Sequence, residues 1–188
     1  MAALLPGCPV FLTGMMGSGK STIAPLLAAH WQVAWIDLDA RVQRLFGSTI
    51  PAMFARGERY FRECESQALR SLMAEPGVRA RTVVVATGGG VVVDPKNRQQ
   101  MHAAGAVVYL DVPGDCLAAR LMRPDDLGNR PLLGGTLSDV KTRVQQLLED
   151  REPAYRRATY SIDANAEPGV CVARIVAAIS GDVPRGRT

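Results

Sequence analysis

The stretch GMMGSGKST, residues 14 to 22, spaces its glycines, lysine and hydroxyl as G-x-x-x-x-G-K-S. That spacing wraps backbone N–H groups around a polyphosphate, places a lysine ammonium on its outer phosphates and offers the next hydroxyl to Mg²⁺. Gly17, Ser18, Gly19 and Thr22 therefore join Lys20 and Ser21 as the phosphate-binding set, with Ser21 as a metal ligand. The loop specifies a phosphate donor and leaves the acceptor open.

Other residues supply chemistry at the acceptor side. In WIDLDARV, Asp37 and Asp39 stand two apart, which on a strand puts both on one face. At the carboxyl end of a strand in an open α/β sheet they would face the ligand crevice. Asp37 then suits a water-mediated Mg²⁺ site and Asp39 accepts from a substrate hydroxyl; the simpler alternative is that one of them caps the helix starting near Ala40. No aspartate follows TVVVA, the usual second position for a metal carboxylate, which turns attention back to Asp37. The triple glycine Gly88, Gly89 and Gly90 in ATGGGVV offers bare backbone for close approach of a ligand. Arg62, beside Phe61 in GERYFRECE, calls for an anion, while the neighbouring Glu58, Arg59, Glu63 and Glu65 read as a solvated helical face. Arg123, Arg130, Arg151, Arg156 and Arg157 crowd the last third, the last two suited to surface ion pairs. His30 and His102 have no partner pattern.

These side chains need a scaffold. Apolar runs PVFLTG, VAWIDLD, TVVVATGGG and GAVVYLDV alternate with helical stretches at 21–30, 63–73, 97–104 and 115–122, the signature of βαβ units on a parallel sheet. Then follow a Gly- and Pro-rich segment read as a mobile lid (about 122–136), a helix from Ser138 to about Arg151, the strand-like YSIDAN, and a helix from Val170 to Ser180. Residues 181–188 are expected to be disordered. Pro25 should kink the first helix.

With 188 residues, 47% apolar and 21% charged, the chain is expected to fold as a single domain over 1–188, neither disordered nor fibrous. Its net charge of +4 comes almost wholly from arginine, with Lys20, Lys96 and Lys141 the only lysines, which suits small anionic substrates. No basic tract with interleaved aromatics points to nucleic acid. No apolar run reaches the about eighteen residues of a membrane span, and no cationic leader precedes Pro6 and Pro9. Cys8, Cys64, Cys116 and Cys171 are scattered without metal or redox spacing, which fits a reducing, cytoplasmic setting.

Taken together, GMMGSGKST, IDLD, IPAMFARGERYFRECE, ATGGGVVVDPKNR, RPLL and REPAYRR resemble, in order and rough spacing, the shikimate kinases from about Val10 to about Ala178. The phosphate loop is generic; the combination of GE..FR..E, the triple glycine and R.P.Y is specific. The resemblance implies a P-loop kinase fold, three layers α/β/α around a five-stranded parallel sheet with a lid, transferring the ATP γ-phosphate to the 3-hydroxyl of shikimate. It implies that Asp39 binds substrate hydroxyls and assists proton removal, that Arg62 and Arg151 clamp the carboxylate, and that Gly89 makes a backbone contact to the substrate. It further implies that Arg130 is the lid arginine on the phosphates, that Arg123 is its nucleotide-side companion, and that Ser21 and Asp37 form the Mg²⁺ environment. A monomer using ATP and shikimate is expected. Two departures bear on the nucleotide: Ala24 and Pro25 stand where the family has Gly-Arg, and Ala166 replaces an arginine beside the adenine.

Three rivals share parts of this pattern: a gluconate kinase, a nucleoside monophosphate kinase, and a non-catalytic ATP or sugar-acid sensor. The triple glycine and FRECE disfavour the first, the lack of a second base-binding segment the second, and the presence of Lys20, Asp39 and Arg130 the third.

Overall fold

The computed structural model of the chain describes residues 7–122 and 137–181. Arg123, Arg130 and all of the segment read as a lid except Met122 lie outside the described residues, as does the tail beyond Gly181.

β1 (Val10–Thr13), β2 (Trp35–Asp37), β3 (Val84–Ala86), β4 (Ala106–Asp111) and β5 (Tyr160–Asp163) pair in parallel in the order β2-β3-β1-β4-β5. Helices cover both faces of such a sheet, so its central strands are apolar throughout rather than alternating. Val10, Phe11 and Leu12 are accordingly 0% exposed.

Strand order determines where a ligand can bind. From β1 the chain crosses through α1 (Lys20–Trp31) to β2 at one edge; from β3 it crosses through α6 (Pro95–Ala104) to β4 on the other side of β1. β1 and β3 are neighbours whose connections leave in opposite directions, so a crevice opens beyond their carboxyl ends. The phosphate loop follows β1 and the triple glycine follows β3, and both loops border that crevice.

Between β2 and β3 lie α2 (Leu38–Phe46), α3 (Ile50–Ala55), α4 (Glu58–Met73) and the short α5 (Pro76–Arg79); α7 (Gly114–Leu121), α8 (Leu137–Tyr155) and α9 (Pro168–Ser180) complete the order. Three features bear on the elements expected from the sequence. First, α1 continues through Pro25 as one helical element from Lys20 to Trp31, without the N–H that would bond the Ser21 carbonyl. Second, α2 begins at Leu38, so Asp39 stands in a first helical turn and does not share a strand face with Asp37. Asp37 ends β2 and caps α2, its Oδ1 accepting from the Ala40 N–H at 2.9 Å. Third, α8 continues past Arg151 and through Pro153 to Tyr155. Val140, Val144, Leu147, Arg151 and Tyr155 are all buried and recur at spacings of three and four, so Arg151 and Tyr155 extend the apolar stripe that seats the helix.

Candidate active site

A cavity of about 800 Å³ lies over the carboxyl ends of β1 and β3. Every candidate residue within the described part of the chain lines it: Gly17, Ser18, Gly19, Lys20, Ser21 and Thr22 at one end, and Asp37, Asp39, Arg62, Gly88, Gly89, Gly90 and Arg151 toward the other.

The phosphate loop takes its shape from three glycines at positive φ, Gly14, Gly17 and Gly19. Gly14 has φ +142°, and a Cβ there would stand 2.8 Å from the Leu110 carbonyl of β4. Gly19, at φ +96°, makes the left-handed step into α1, so the helix N-terminus points its free N–H groups into the loop. Lys20 is 9% exposed and folds back over the loop, its Nζ donating to the Gly14 and Met15 carbonyls at 2.8 and 2.9 Å. Where the metal carboxylate is missing after β3, Thr87 stands instead. Its backbone N–H and Oγ1 both donate to the Leu12 carbonyl, at 3.1 and 3.0 Å, binding the two glycine loops' parent strands together.

The far end is built around Arg62. Its guanidinium sits 5.8 and 5.1 Å from the centroids of Phe54 and Phe61, which stack on each other at 4.5 Å. The anion it was expected to need is already present within the protein: Glu65 Oε2 accepts from Nη1 at 2.9 Å and Glu58 Oε1 from Nη2 at 3.0 Å. Burial opposes the Arg62 charge, but Glu65 and Glu58 raise its pKa on balance. Glu65 is thus no part of a solvated face; its side chain is 1% exposed. Burial raises its pKa, Arg62 lowers it and Asp39 raises it again, leaving it at about 7.

The triple glycine does more than admit a ligand. A Cβ on Gly88 would touch Glu65 Oε1 and stand 2.7 Å from Asp39 Oδ1, and a Cβ on Gly90 would overlap the Arg62 guanidinium. The bare backbone lets the protein's own charged side chains pass behind the loop and reach the cavity. Gly89 abuts the phosphate loop, its Cβ position 3.4 Å from Gly14 O and from Met16 N. Its carbonyl accepts from the Tyr155 hydroxyl at 2.5 Å.

Three contributors carry no sufficient signal in the sequence: Glu65 reads there as part of a solvated face, Tyr155 only as part of a motif, and nothing in the spacing singles out Arg120. Arg120 Nη1 donates to the Gly17 carbonyl at 3.2 Å and Nη2 to Asn165 Oδ1 at 3.4 Å, and the residue lines the cavity beside Ala166, Glu167 and Pro168. The fourfold spacing of Arg151 and Tyr155 on one helix was the available signal for Tyr155. Arg156 does pair with Glu152 on the surface, and His30 and His102 are exposed.

Among the described residues no three His, Cys, Asp or Glu side chains gather into a metal cage. Ser21 and Asp37 both line the cavity, and one hydroxyl with one carboxylate suits an ion that keeps several waters and takes further ligands from phosphates.

A phosphate loop with a buried lysine, sharing one cavity with arginine and carboxylate side chains, is the site of a P-loop phosphotransferase. The family model "SKI: Shikimate kinase" matches residues 16–180. The chain is 42% identical over 164 residues to the shikimate kinase of Synechococcus sp. strain RCC307, covering 87% of this chain and 79% of the relative. It is 40% identical over 173 residues to that of Aromatoleum aromaticum, covering 90% and 93%. Its structure resembles shikimate kinase from Acinetobacter baumannii in complex with shikimate with TM-score 0.83, 32% identity and 96% coverage of both chains. The chain belongs to the shikimate kinase family. A gluconokinase from Sinorhizobium meliloti shares the fold at TM-score 0.60 and 18% identity, covering 94% of this chain and 93% of that one.

Proposed function

We propose that the cavity divides the shikimate kinase reaction between its two ends, with ATP phosphates in the Gly14–Thr22 loop and shikimate between Arg62, Arg151, Asp39 and the triple glycine. The γ-phosphate then passes in line to the 3-hydroxyl, giving shikimate 3-phosphate and ADP. The observation that carries this reading is the single cavity joining a phosphate loop to two arginines and a carboxylate.

Positioning and electrostatics supply most of the rate in such a transfer. Lys20 leaves the Gly14 and Met15 carbonyls for the β- and γ-phosphates, exchanging weak acceptors for charged ones. Backbone N–H groups of Gly17 to Thr22 hold the remaining phosphate oxygens. Arg62 and Arg151 fix the acceptor carboxylate, and Gly89 and its neighbours lie against the ring. Asp39 takes a hydrogen bond from the acceptor hydroxyl and relieves it of its proton as the new P–O bond forms. Arg130 approaches the transferring phosphate and Arg123 the nucleotide. When bound, Mg²⁺ neutralises phosphate charge; Ser21 Oγ and the Asp37 carboxylate, whose Oδ1 is held by Ala40, are the groups that would hold it.

We further read the chain as one domain over 1–188, a cytoplasmic monomer serving small molecules rather than nucleic acid or membrane. The family match over 16–180 supports the first. Among the described residues no helix is long and apolar enough to cross a membrane.

The test is a coupled ADP-release assay with ATP and Mg²⁺, comparing shikimate, gluconate and no acceptor. Fast turnover with shikimate alone is expected; equal or faster turnover with gluconate would overturn the acceptor assignment.

A further inference from the structure

Glu65 is a buried carboxylate to which the proposed transfer assigns no role, and it is bonded to the arginine at which a second carboxylate would arrive. Oε2 accepts from Arg62, while Oε1 is buried and has no hydrogen-bond partner among the described residues. Because one methyl on Gly88 would touch both Glu65 Oε1 and Asp39 Oδ1, the two carboxylates lie within about 5 Å, where like charges resist joint ionisation.

The charged and titratable groups around Glu65 come from several elements. Arg62 and Glu58 share its helix, Asp39 faces it from α2, and Arg151 and Tyr155 act on it from α8. Behind it a second cavity of about 540 Å³ brings Asp94 and Lys96 from the α6 side, with Glu63 and Arg70 of α4. Its two cationic partners facing the active-site cavity are Arg62 and Arg151, the same two groups assigned to the acceptor carboxylate.

An incoming carboxylate therefore competes with Glu65 for one guanidinium and adds negative charge to a buried cluster, where an unpaired charge is costly. A proton on Glu65 resolves the conflict. We propose that Glu65 makes acceptor binding proton-linked: as the substrate carboxylate engages Arg62, Glu65 Oε1 takes up one proton from solvent. An O–H bond forms on Oε1, bulk buffer supplies the proton, and no other bond changes. The charge of the cluster is the same before and after, since one carboxylate replaces another. The new O–H gives the otherwise unpartnered oxygen a donor to offer toward Asp39 or an acceptor hydroxyl. That Glu65 is already poised near neutrality makes the uptake possible under ordinary conditions.

The inference rests on the reading of Arg62 and Arg151 as the carboxylate clamp. It is tested by calorimetric titration of the whole protein with shikimate at about pH 7.5 in two buffers of different ionisation enthalpy, which counts protons taken up. Uptake of most of a proton is expected for the wild type, close to none for Glu65→Gln, and retained uptake for Glu58→Gln. The dissociation constant for shikimate should rise up to about tenfold per pH unit at alkaline pH in the wild type and stay flat in Glu65→Gln. No uptake by the wild type, or equal uptake by Glu65→Gln, overturns the proposal. Should Glu65→Gln fail to fold, ¹³C-carboxyl NMR of the wild type replaces it: the glutamate titrating near neutrality should move to higher pKa on adding shikimate, and a fixed value overturns the proposal. An unchanged shikimate affinity in Arg62→Ala would bring down the clamp itself and the linkage with it; weakened binding without proton uptake would leave the clamp standing and remove only the linkage.

Discussion

The phenolic oxygen of Tyr155 lies 2.5 Å from the carbonyl oxygen of Gly89, so the last residue of α8 holds the loop that follows β3. The ring is 0% exposed and stacks on Tyr109 of β4 with centroids 5.1 Å apart and planes 11° from parallel. One turn earlier the same helix carries Arg151. A single helix therefore presents a buried cation to the cavity and fixes the backbone beside it, and Gly89 in turn rests on Gly14 and Met16 of the phosphate loop. Burial raises the Tyr155 phenol to about 12 despite the lowering effect of Arg151, so it stays a neutral donor at physiological pH.

Removing that hydroxyl isolates its contribution. Tyr155→Phe keeps the stack on Tyr109 and strands the Gly89 carbonyl, at a cost of about 1–3 kcal/mol. Urea denaturation should show this loss. Steady-state kinetics should show a raised KM for shikimate with little change in KM for ATP; equal rises in both would argue against a local hold on the acceptor loop.

Gly90→Ala tests why the triple glycine is bare. Gly90 has φ −102°, so alanine suffers no backbone strain, and the methyl group's obstacle is the Arg62 guanidinium. The guanidinium must move, and the shikimate KM should rise about tenfold or more, the scale of a weakened charged hydrogen bond. The Kd for ATP, measured by fluorescence titration, should stay within about twofold, a change of under about 1 kcal/mol.

Asp37 has a structural duty and a proposed metal duty, which Asp37→Ser separates. Serine caps a helix about as well as aspartate, so thermal stability should hold. The carboxylate is lost, so the Mg²⁺ concentration for half-maximal rate should increase. Unchanged Mg²⁺ dependence would confine Asp37 to capping.

Lys20→Ala should lower kcat by about 10³-fold or more, the scale of lost transition-state charge stabilisation. Asp39→Asn should lower kcat by about 10²–10⁴-fold, the range of a lost proton acceptor, while ATP affinity stays close to wild type. Both are read in the ADP-release assay, with the circular dichroism spectrum as the control for folding.

Glu65 also makes stability depend on pH. Its folded pKa of about 7 lies above the ordinary 4.5, so the folded chain retains a proton that the unfolded chain releases. The group's contribution is complete below about pH 4.5 and is lost as the pH rises through about 7. Urea midpoints of wild type and Glu65→Gln should therefore converge or cross in favour of the variant by about pH 8.5. A constant difference across that range would rule the titration out.

How much of this was legible in the sequence depended on how local each signal was. The phosphate loop, its lysine and the strands around it were readable because spacing within a few residues sets their geometry, and the continuous apolar runs announced a parallel sheet. Asp37 and Asp39 were found as a pair, yet their shared strand face was wrong: a capping aspartate starts a helix one residue later, and period-two alternation stops there. Arg62 was recognised as needing an anion, but a helical charge cluster does not say which of its glutamates turns inward.

The sequence alone determined the donor side of this protein, since a loop that binds phosphate through its own backbone carries its chemistry wherever it folds. Only the tertiary structure decided the acceptor side. Glu65 is buried because α4 packs beneath a loop without side chains, and Arg151 reaches the cavity, with Tyr155 at the Gly89 carbonyl, because α8 packs on α7 and on the turn at Val91–Val93 and ends with Tyr155 stacked on Tyr109 of β4. Charge, burial and proton affinity at that end are products of packing between segments far apart in the chain, and no local spacing encodes them.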